Sequence, residues 1–253
     1  MEMNAKDLAW KLVPLPVMTR VAYWRKYWLF GEWELRELPS ILSRRGLAID
    51  VGANRGYYSY ALQRLGQRVI SFEPDPAYQK RLRTLLGSEA RIETVALSSN
   101  PGNGVMRVPQ VGGEYGGSLG SLSDLAVPDE IVSTRYAVEL RTLDSYGFDD
   151  VSFIKIDVEG HEEAVLAGAG DTLTRTKPAL LVEIEERHNP GGLARISESL
   201  SSLGYSGFFF YERKRYDLSE FVPEIHQVTD EVTVGEANRR ALRYVNNFVF
   251  KAR

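Results

Sequence analysis

Short apolar runs alternate with helical patterns through the middle of the chain. The apolar runs predict five strands, at 47–51, 68–72, 91–97, 151–158 and 179–184. Helices are predicted at 57–65 and from Pro76 to about Leu86, behind a cap at Asp75. Because buried strands that alternate with helices form parallel sheets with both faces covered, the chain is predicted to be an α/β protein.

Other segments depart from this alternation. Residues 100–136 are rich in glycine and serine, and we predict a loop or hairpin insertion there. A loop of that length in a compact domain is usually functional or mobile. Two further strands are predicted at 205–211 and 247–251. The pattern therefore predicts one domain at 46–253, preceded by an N-terminal helical extension at 1–45.

All four tryptophans lie in the N-terminal extension, at Trp10, Trp24, Trp28 and Trp33. Trp24 and Trp28 are four residues apart and share one face if the segment is helical. We expect the segment to pack its aromatic side chains onto the core or onto a second copy of the chain, as a homodimer contact. A lid over the substrate and an anchor at a membrane surface are the alternatives.

Composition excludes several classes of protein. The 253 residues include no cysteine, which excludes disulfides, thiolate nucleophiles and thiolate zinc sites. With 31 basic and 34 acidic residues and a pI near 5.8, no nucleic-acid partner is expected. No apolar run approaches the roughly 20 residues that a membrane span needs, and the N-terminus lacks a signal-peptide pattern. We therefore expect a cytoplasmic protein with no membrane span.

A glycine loop, DVGANRG from Asp50 to Gly56, follows the first predicted strand and opens a helix. Its small residues let the backbone approach a ligand, and the helix N-terminus offers unpaired N–H groups. Glu73, at the end of the second strand, can accept hydrogen bonds from both hydroxyls of a ribose. The loop fails the dinucleotide fingerprint at its second and third glycines. The aspartate before the loop suits a cation, such as the amino group of S-adenosylmethionine.

Acidic and histidine side chains follow the fourth predicted strand. Asp157, Glu159 and His161 lie at the carboxyl edge of the sheet, where open α/β sheets bind ligands. Asp157 and His161 are candidates for a general base. Glu183 and His188 at the fifth strand are further candidates. A divalent cation held by Asp157, Glu183 or His188 fits the ligand types, although the spacing does not require one.

These stretches together resemble the FkbM family of S-adenosylmethionine-dependent methyltransferases. The resemblance covers roughly residues 46–190 and is most specific around KIDVEGHE. The matching pieces are AIDVGANRGYYS (48–59), SFEPDP (71–76), VALSSNPG (95–102), LRTLDS (140–145), FIKIDVEGHEEAVLAGAGDTL (153–173) and ALLVEIEERH (179–188). The resemblance implies a Rossmann-like class I methyltransferase fold, with a seven-stranded, mostly parallel sheet whose last strand is antiparallel. It also implies S-adenosyl-L-methionine as the cofactor.

The resemblance further implies roles for individual residues. The methionine end of the cofactor would be held by Asp50, Gly52, Asn54 and Gly56. The ribose would be bound by Glu73, and the adenine flanked by Asp75, Ala96 and Leu97. Asp157 would contact the cofactor and, with Glu159 and His161, form the catalytic group near the transferred methyl.

The activity implied by the resemblance is O-methylation of a small-molecule hydroxyl on a sugar, a glycoside or a natural product. One alternative is a module that binds the cofactor or a partner without turnover; the intact Asp50, Glu73 and Asp157 count against it. A second alternative is a nucleic-acid methyltransferase. The pI and the absence of an Asn-Pro-Pro-Tyr stretch after the fourth strand count against that.

Overall fold

The computed structural model describes residues 15–25, 27–28, 33–111, 114–115, 120–123, 132–228 and 244–253. Within these ranges, no helix is both long enough and apolar enough to cross a membrane. Trp10, which the sequence analysis groups with the other tryptophans, lies outside the described residues.

The strands and α-helices follow one another along the chain much as the apolar pattern predicts. The strands are β1 (Leu47–Val51), β2 (Arg68–Phe72), β3 (Arg91–Glu93), β4 (Ala96–Leu97), β5 (Gly102–Val111), β6 (Glu114–Tyr115), β7 (Ser133–Arg141), β8 (Val151–Ile156), β9 (Ala179–Glu183), β10 (Tyr205–Tyr211), β11 (Lys214–Asp217) and β12 (Asn247–Ala252). The helices are α1 (Leu15–Arg25), α2 (Trp33–Ile41), α3 (Tyr57–Arg64), α4 (Pro76–Leu86), α5 (Glu162–Ala167), α6 (Gly170–Thr176), α7 (Gly192–Ser202) and α8 (Pro223–His226).

The central sheet has eight strands in the order β11-β10-β12-β9-β8-β1-β2-β3. Strands β1, β2, β3, β8 and β9 are parallel to one another, and β12 runs antiparallel between β9 and β10. This confirms the predicted α/β fold, whose last strand is antiparallel. The eighth strand, β11, is an edge strand that pairs with β10. Its four residues, KRYD, are mostly exposed and carry no apolar pattern, so the sequence did not indicate it.

The predicted strand at 91–97 is divided between two sheets. β3 pairs with β2 in the central sheet, whereas β4 pairs with β7 in a second sheet ordered β4-β7-β5-β6. Val95 and Leu97 still face the main core, so the apolar alternation continues although the pairing partner changes. An apolar pattern indicates which side chains are buried, but it does not indicate which strand lies alongside.

The segment predicted as an insertion at 100–136 contains a long hairpin. β5 and β7 pair antiparallel, from Gly102 opposite Leu140 to Pro109 opposite Ser133. β7 continues to Arg141, five residues beyond the predicted end of the segment. The hairpin forms part of the second sheet, which stands beside the carboxyl ends of β1 and β2 through Ala96 and Leu97.

Two apolar layers cover the central sheet. Because successive residues of a strand point to opposite faces, Phe153 and Ile154 of β8 belong to different layers. Leu35, Leu38 and Ile41 of α2 cover the layer that contains Phe153. All six residues of β8 are buried, as expected of a central parallel strand.

The N-terminal helix α1 docks through a tyrosine. Tyr23 is buried, and its ring lies 4.7 Å from that of Tyr60 on α3. Trp24 and Trp28 keep 38% and 62% of their surface exposed. The docking contact is thus made by Tyr23, whereas Trp24 and Trp28, which were predicted to pack on the core or on a second copy, remain partly exposed in the single chain.

Candidate functional site

The loop after β1 lies against the end of β8. The backbone N–H groups of Gly52 and Ala53 both donate to the carbonyl of Phe72, at 3.0 and 3.1 Å. Gly52 has a φ of +74°, and a Cβ there would lie 1.8 Å from the carbonyl oxygen of Asp157. Glycine is required at this position because the loop and the strand end are in backbone contact.

Glu73 stands at the carboxyl end of β2, facing the loop. Its Oε2 accepts from the N–H of Asn54 at 2.6 Å, and its Oε1 accepts from the N–H of Asp75 at 2.8 Å. Burial raises the pKa of Glu73 to about 7, although both N–H groups favour the charged form. The side chain is fixed in direction, and each oxygen keeps a second lone pair for a ligand hydroxyl.

Asn54 presents an unused acceptor. Its Oδ1 is buried and accepts no hydrogen bond from any described residue. A buried amide oxygen without a donor is costly, so a donor from a bound molecule is expected there. Asn54 has a φ of +50°, a left-handed conformation that asparagine tolerates better than most residues.

A cavity of about 590 Å³, counted with the solvent at its mouth, opens beside this loop. Eight of the predicted site residues line it: Gly52, Asn54, Glu73, Ala96, Leu97, Asp157, Glu159 and His161. The structure thus brings together the ends of β1, β2, β4 and β8 around one space.

Three residues predicted to contact the cofactor do not line this cavity, and neither do the further candidates Glu183 and His188. Asp50 is buried in β1, where its Oδ2 accepts from the hydroxyl of Ser59 at 2.5 Å. Gly56 caps the start of α3 in a left-handed conformation. Asp75 caps α4, accepting from the N–H of Ala77 at 2.8 Å. Direct cofactor contact by these three residues stays a prediction, whereas the described contacts place them one layer behind the cavity.

One wall of the cavity was not indicated by any motif. Met106 of β5 and the short segment Gly120, Ser121 and Leu122 face the predicted residues across the space. Ser121 donates its hydroxyl to the carbonyl oxygen of Glu159 at 2.5 Å. The glycine- and serine-rich composition of 100–136 pointed to this region but not to these side chains.

A buried lysine lies beneath the acidic turn that follows β8. Lys155 Nζ is 3.8 Å from Asp157 Oδ2 and 3.7 Å from Glu183 Oε2, and it donates to Asn247 Oδ1 at 3.0 Å. The lysine side chain is 1% exposed. The two partly exposed carboxylates therefore compensate the charge of an ammonium that water does not reach.

Carboxylates of Asp157, Glu159 and Glu183 approach as metal ligands do. One oxygen from each lies within 4.8 Å of the others. Lys155 already supplies positive charge to two of the three, and no other described feature points to an ion. The divalent cation considered from the sequence therefore gains no support from this geometry.

His161 begins α5 at the rim of the cavity. Its Nε2 lies 3.0 Å from the hydroxyl of Ser98, and burial lowers the pKa of the imidazole. Ser98 in turn donates its backbone N–H to Arg141 at the end of β7. His161 thus lines the cavity and is also joined to the second sheet, because Ser98 bonds both to its ring and to Arg141 of β7.

Glu162 gives the folded protein a pH-dependent stability. Burial raises the pKa of Glu162 to about 7 from an ordinary 4.5, and the carboxylates of Asp157 and Glu159 act in the same direction. Its Oε1 accepts from the N–H of Gly160, while Oε2 has no partner among the described residues. The folded state therefore holds a proton that the unfolded chain releases near pH 4.5. This contribution is complete below that pH and is lost as the pH rises through about 7.

We expect the melting temperature to fall between pH 5 and pH 8, and Glu162→Gln to make that fall shallower because glutamine does not ionise. Thermal unfolding followed by circular dichroism across this range measures the slope. Glu163→Gln is the matched control, since Glu163 lies on the same helix but pairs with Arg195 at 2.7 Å. Equal slopes for the wild type and Glu162→Gln would contradict the assignment.

Known proteins share this sequence pattern and this fold. The sequence pattern of the methyltransferase FkbM domain matches residues 50–208. The chain belongs to the FkbM methyltransferase family. This FkbM protein is 27% identical to the 2-O-methyltransferase NoeI of Sinorhizobium fredii over 158 residues, 56% of this chain and 65% of NoeI. It is 28% identical to the AMB antimetabolite synthetase AmbE of Pseudomonas aeruginosa over 244 residues, 78% of this chain and 11% of AmbE.

The fold is also found in a solved structure of the family. The methyltransferase FkbM from Methylobacillus flagellatus superposes with a TM-score of 0.52 at 19% identity, covering 97% of this FkbM chain and 57% of that one. The chain thus spans less than two thirds of the length of each of these relatives. At this identity the likeness establishes the class I methyltransferase fold.

Proposed function

We propose that this FkbM protein is an S-adenosylmethionine-dependent O-methyltransferase that acts on a hydroxyl of a small molecule, most readily a sugar, a glycoside or a natural product. The observation that carries the proposal is the pair of acceptors at the cavity: the carboxylate of Glu73, fixed by two backbone N–H groups, and the unpaired Oδ1 of Asn54. The Glu73 carboxylate is suited to the two hydroxyls of a diol, and Asn54 Oδ1 is suited to an N–H donor.

The residues present fit the proposed cofactor. Glu73 would accept from the ribose hydroxyls, and Asn54 Oδ1 would accept from the amino group of the methionine end. Ala96 and Leu97, both buried at the edge of the second sheet, would lie against the adenine. Gly52 keeps the backbone free of a side chain between these groups. Asp50 and Asp75 would act through the loop and through α4, whose positions they hold.

The protein's contribution to transfer is alignment and proton handling. When bound, S-adenosyl-L-methionine supplies a methyl group activated by a positively charged sulfur. Asp157, Glu159 and His161 line the cavity next to the Gly52 loop and are proposed to face the acceptor and the reacting centre. Holding the reacting atoms in line and close together contributes up to about 7–11 kcal/mol to such a reaction. The hydroxyl must also lose its proton, which requires a base.

The acceptor class is supported by the chemistry of the wall and by the relatives. NoeI is named as a 2-O-methyltransferase, and AmbE as an antimetabolite synthetase. The carboxylates of Asp157 and Glu159 in the cavity wall would accept hydrogen bonds from several hydroxyls at once, which suits a polyol. Met106 and Leu122 offer apolar surface opposite, as a sugar ring requires.

Calorimetry with S-adenosylmethionine and with NAD, followed by transfer of a labelled methyl group, tests the proposal. The acceptors are p-nitrophenyl glycosides of glucose, galactose, mannose, fucose and rhamnose. We expect binding of S-adenosylmethionine and labelling of at least one glycoside. Binding of NAD alone would refute the proposal. Binding of S-adenosylmethionine without transfer would favour the non-catalytic module, and labelling of RNA or DNA would favour the nucleic-acid alternative.

Asp157→Asn should lower the transfer rate roughly 10- to 150-fold, equivalent to loss of one charged hydrogen bond of about 1.5–3 kcal/mol. The fold should persist, because the backbone N–H of Asp157 still donates to Val51. Initial rates with the labelled cofactor measure the effect. Asp149→Asn, which removes a carboxylate from an exposed pair with Arg175, is the matched control. An unchanged rate in Asp157→Asn would remove Asp157 from the reacting centre.

The remaining expectations belong to the same proposal. We keep residues 1–45 as a helical extension and 46–253 as the methyltransferase domain. The exposed Trp24 and Trp28 support a contact with a second copy of the chain, which the molar mass in solution would test. A cytoplasmic location accords with a cofactor made and used inside cells.

A further inference from the structure

A carboxylate that lines the cavity forms a close pair with a histidine that lies outside the residues lining it. Glu159 follows β8 and His188 follows β9. His188 Nδ1 lies 2.9 Å from Glu159 Oε2, and the side chains are 14% and 13% exposed. We infer that His188 is the general base of the transfer and that Glu159 is its positioning residue. This inference rests on the proposed function.

The backbone holds Glu159 in an uncommon conformation. Glu159 has a φ of +50°, a strained conformation for a residue with a side chain that tends to occur at functional sites. Its carbonyl oxygen is held by the hydroxyl of Ser121. The next residue, Gly160, has a φ of +92°, and a Cβ there would come within 3.0 Å of the carbonyl oxygen of His188. The turn is therefore packed directly against the histidine that it orients.

The pairing determines which nitrogen of His188 is available. The Glu159 carboxylate accepts from Nδ1–H, so the neutral ring carries its lone pair on Nε2. In the transfer, the acceptor hydroxyl gives its proton to Nε2 as its oxygen bonds to the methyl carbon. The carbon–sulfur bond breaks and its electron pair stays on sulfur, which becomes neutral. Glu159 then stabilises the imidazolium until the proton leaves to water.

The other two candidates for the base are engaged elsewhere. The carboxylates of Asp157 and Glu183 both lie within 4 Å of the ammonium of the buried Lys155, at 3.8 and 3.7 Å. His161 Nε2 is directed at the hydroxyl of Ser98. Both line the cavity, and both keep their proposed contacts with the ligands. His188 is the histidine whose partner is a carboxylate, the arrangement that fixes and strengthens an imidazole base.

Charged groups on every neighbouring element act on this pair. Asp157 follows β8, Glu162 lies on α5, and Glu183 ends β9. From the loop that holds His188 come Arg187 and Glu185, which pair with each other, and Tyr244 donates to Glu185 at 3.0 Å. These neighbours carry charges of both signs, because Lys155 Nζ lies 3.7 Å from Glu183 and Arg187 pairs with Glu185.

The first test uses the best glycoside of the panel. We expect His188→Gln to lower kcat at least 100-fold, the lower end of what a general base contributes, while calorimetry shows unchanged affinity for S-adenosylhomocysteine. Glu159→Gln should keep some activity and move the acid limb of the pH–rate profile to lower pH. His161→Asn should retain that limb in its wild-type position. Asp149→Asn, which removes a carboxylate from an exposed pair with Arg175, should leave the profile unchanged.

The second test is independent of turnover. The chain has three histidines, so nitrogen-15 spectra of the imidazoles can be assigned with one variant each. In the complex with S-adenosylhomocysteine, neutral His188 should carry its proton on Nδ1, and Glu159→Gln should abolish that preference. A proton on Nε2 in the wild type, or a kcat in His188→Gln within threefold of wild type, would overturn the inference. If the wild type transfers to no glycoside, the proposed function fails, and the tautomer still decides whether the pair is arranged as described.

Discussion

Gly52→Ala should lower the melting temperature by roughly 10 °C and abolish cofactor binding. The new Cβ would lie 1.8 Å from the carbonyl oxygen of Asp157, so the loop and the end of β8 would have to separate. The left-handed backbone adds about 1–2 kcal/mol, and overpacking typically adds about 1–3 kcal/mol. In a domain of this size, each kcal/mol shifts the midpoint by about 2–4 °C. Thermal unfolding by calorimetry measures the shift.

Gly147→Ala is the matched control for this substitution. Gly147 also has a positive φ, of +61°, but a Cβ there would meet no atom within 4 Å. It therefore carries the conformational cost without the collision. If the two variants lose the same stability, the contact between the loop and Asp157 is not what requires glycine at position 52.

Glu73→Ala should weaken binding of S-adenosylhomocysteine by roughly 10- to 150-fold, since a charged hydrogen-bond acceptor contributes about 1.5–3 kcal/mol. The wild type should also bind more tightly as the pH rises through 7. Burial raises the pKa of Glu73 to about 7, and the ribose hydroxyls donate to the ionised form, so below that pH the proton must leave before binding. Below pH 7, the affinity for S-adenosylhomocysteine should therefore fall by up to about tenfold for each unit by which the pH is lowered. Calorimetry at pH 6, 7 and 8 measures both effects.

The control for Glu73 is the glutamate at the end of the next strand. Glu93 ends β3, pairs with Arg91 at 2.7 Å and does not line the cavity. Glu93→Gln should keep the affinity and its pH dependence. If Glu73→Ala binds as tightly as the wild type, the proposed ribose contact is refuted. If the affinity of the wild type does not change with pH, ionisation of Glu73 does not control binding.

Prediction from the sequence was most accurate where local chemistry determines the backbone. β1, β2 and α4 have the bounds that the apolar runs and the Asp75–Pro76 cap predict. Asp75 does accept from the N–H of Ala77, and Gly87 closes the helix. These signals lie within a few residues of the structure that they specify, so one sequence is enough to identify them.

Long-range partners could not be predicted in the same way. The apolar pattern of 91–97 is continuous, yet Ala96 pairs with Leu140, which lies 44 positions further along the chain. Ser121 reaches Glu159 from a segment with no recognisable motif. Lys155 is buried beside Asp157 and Glu183, a position that no local motif indicates. In each case the decisive contact joins distant parts of the chain.

The residues of the candidate site also fall into two groups, those with a local sequence signal and those identified only by contacts between distant parts of the chain. Glu73 and the Gly52 loop were recognisable because close backbone approach and a strand-end carboxylate each have a local signature. The unpaired oxygen of Asn54 was not, because satisfaction of a buried group depends on everything around it. The Glu159–His188 pair likewise needed the structure, since 29 positions separate its members.

The hydrogen bond from Ser121 to Glu159 joins the second sheet to the turn after β8. Met106 and Leu122 reach the cavity from the same hairpin, while Glu73 and Gly52 reach it from the central sheet. Under the proposed function, exchanging the 102–141 block between family members would therefore move the wall that contains Met106 and Leu122 together with its anchor at Ser121. The proposed function then predicts that acceptor preference follows the exchanged block, whereas cofactor affinity stays with the central sheet.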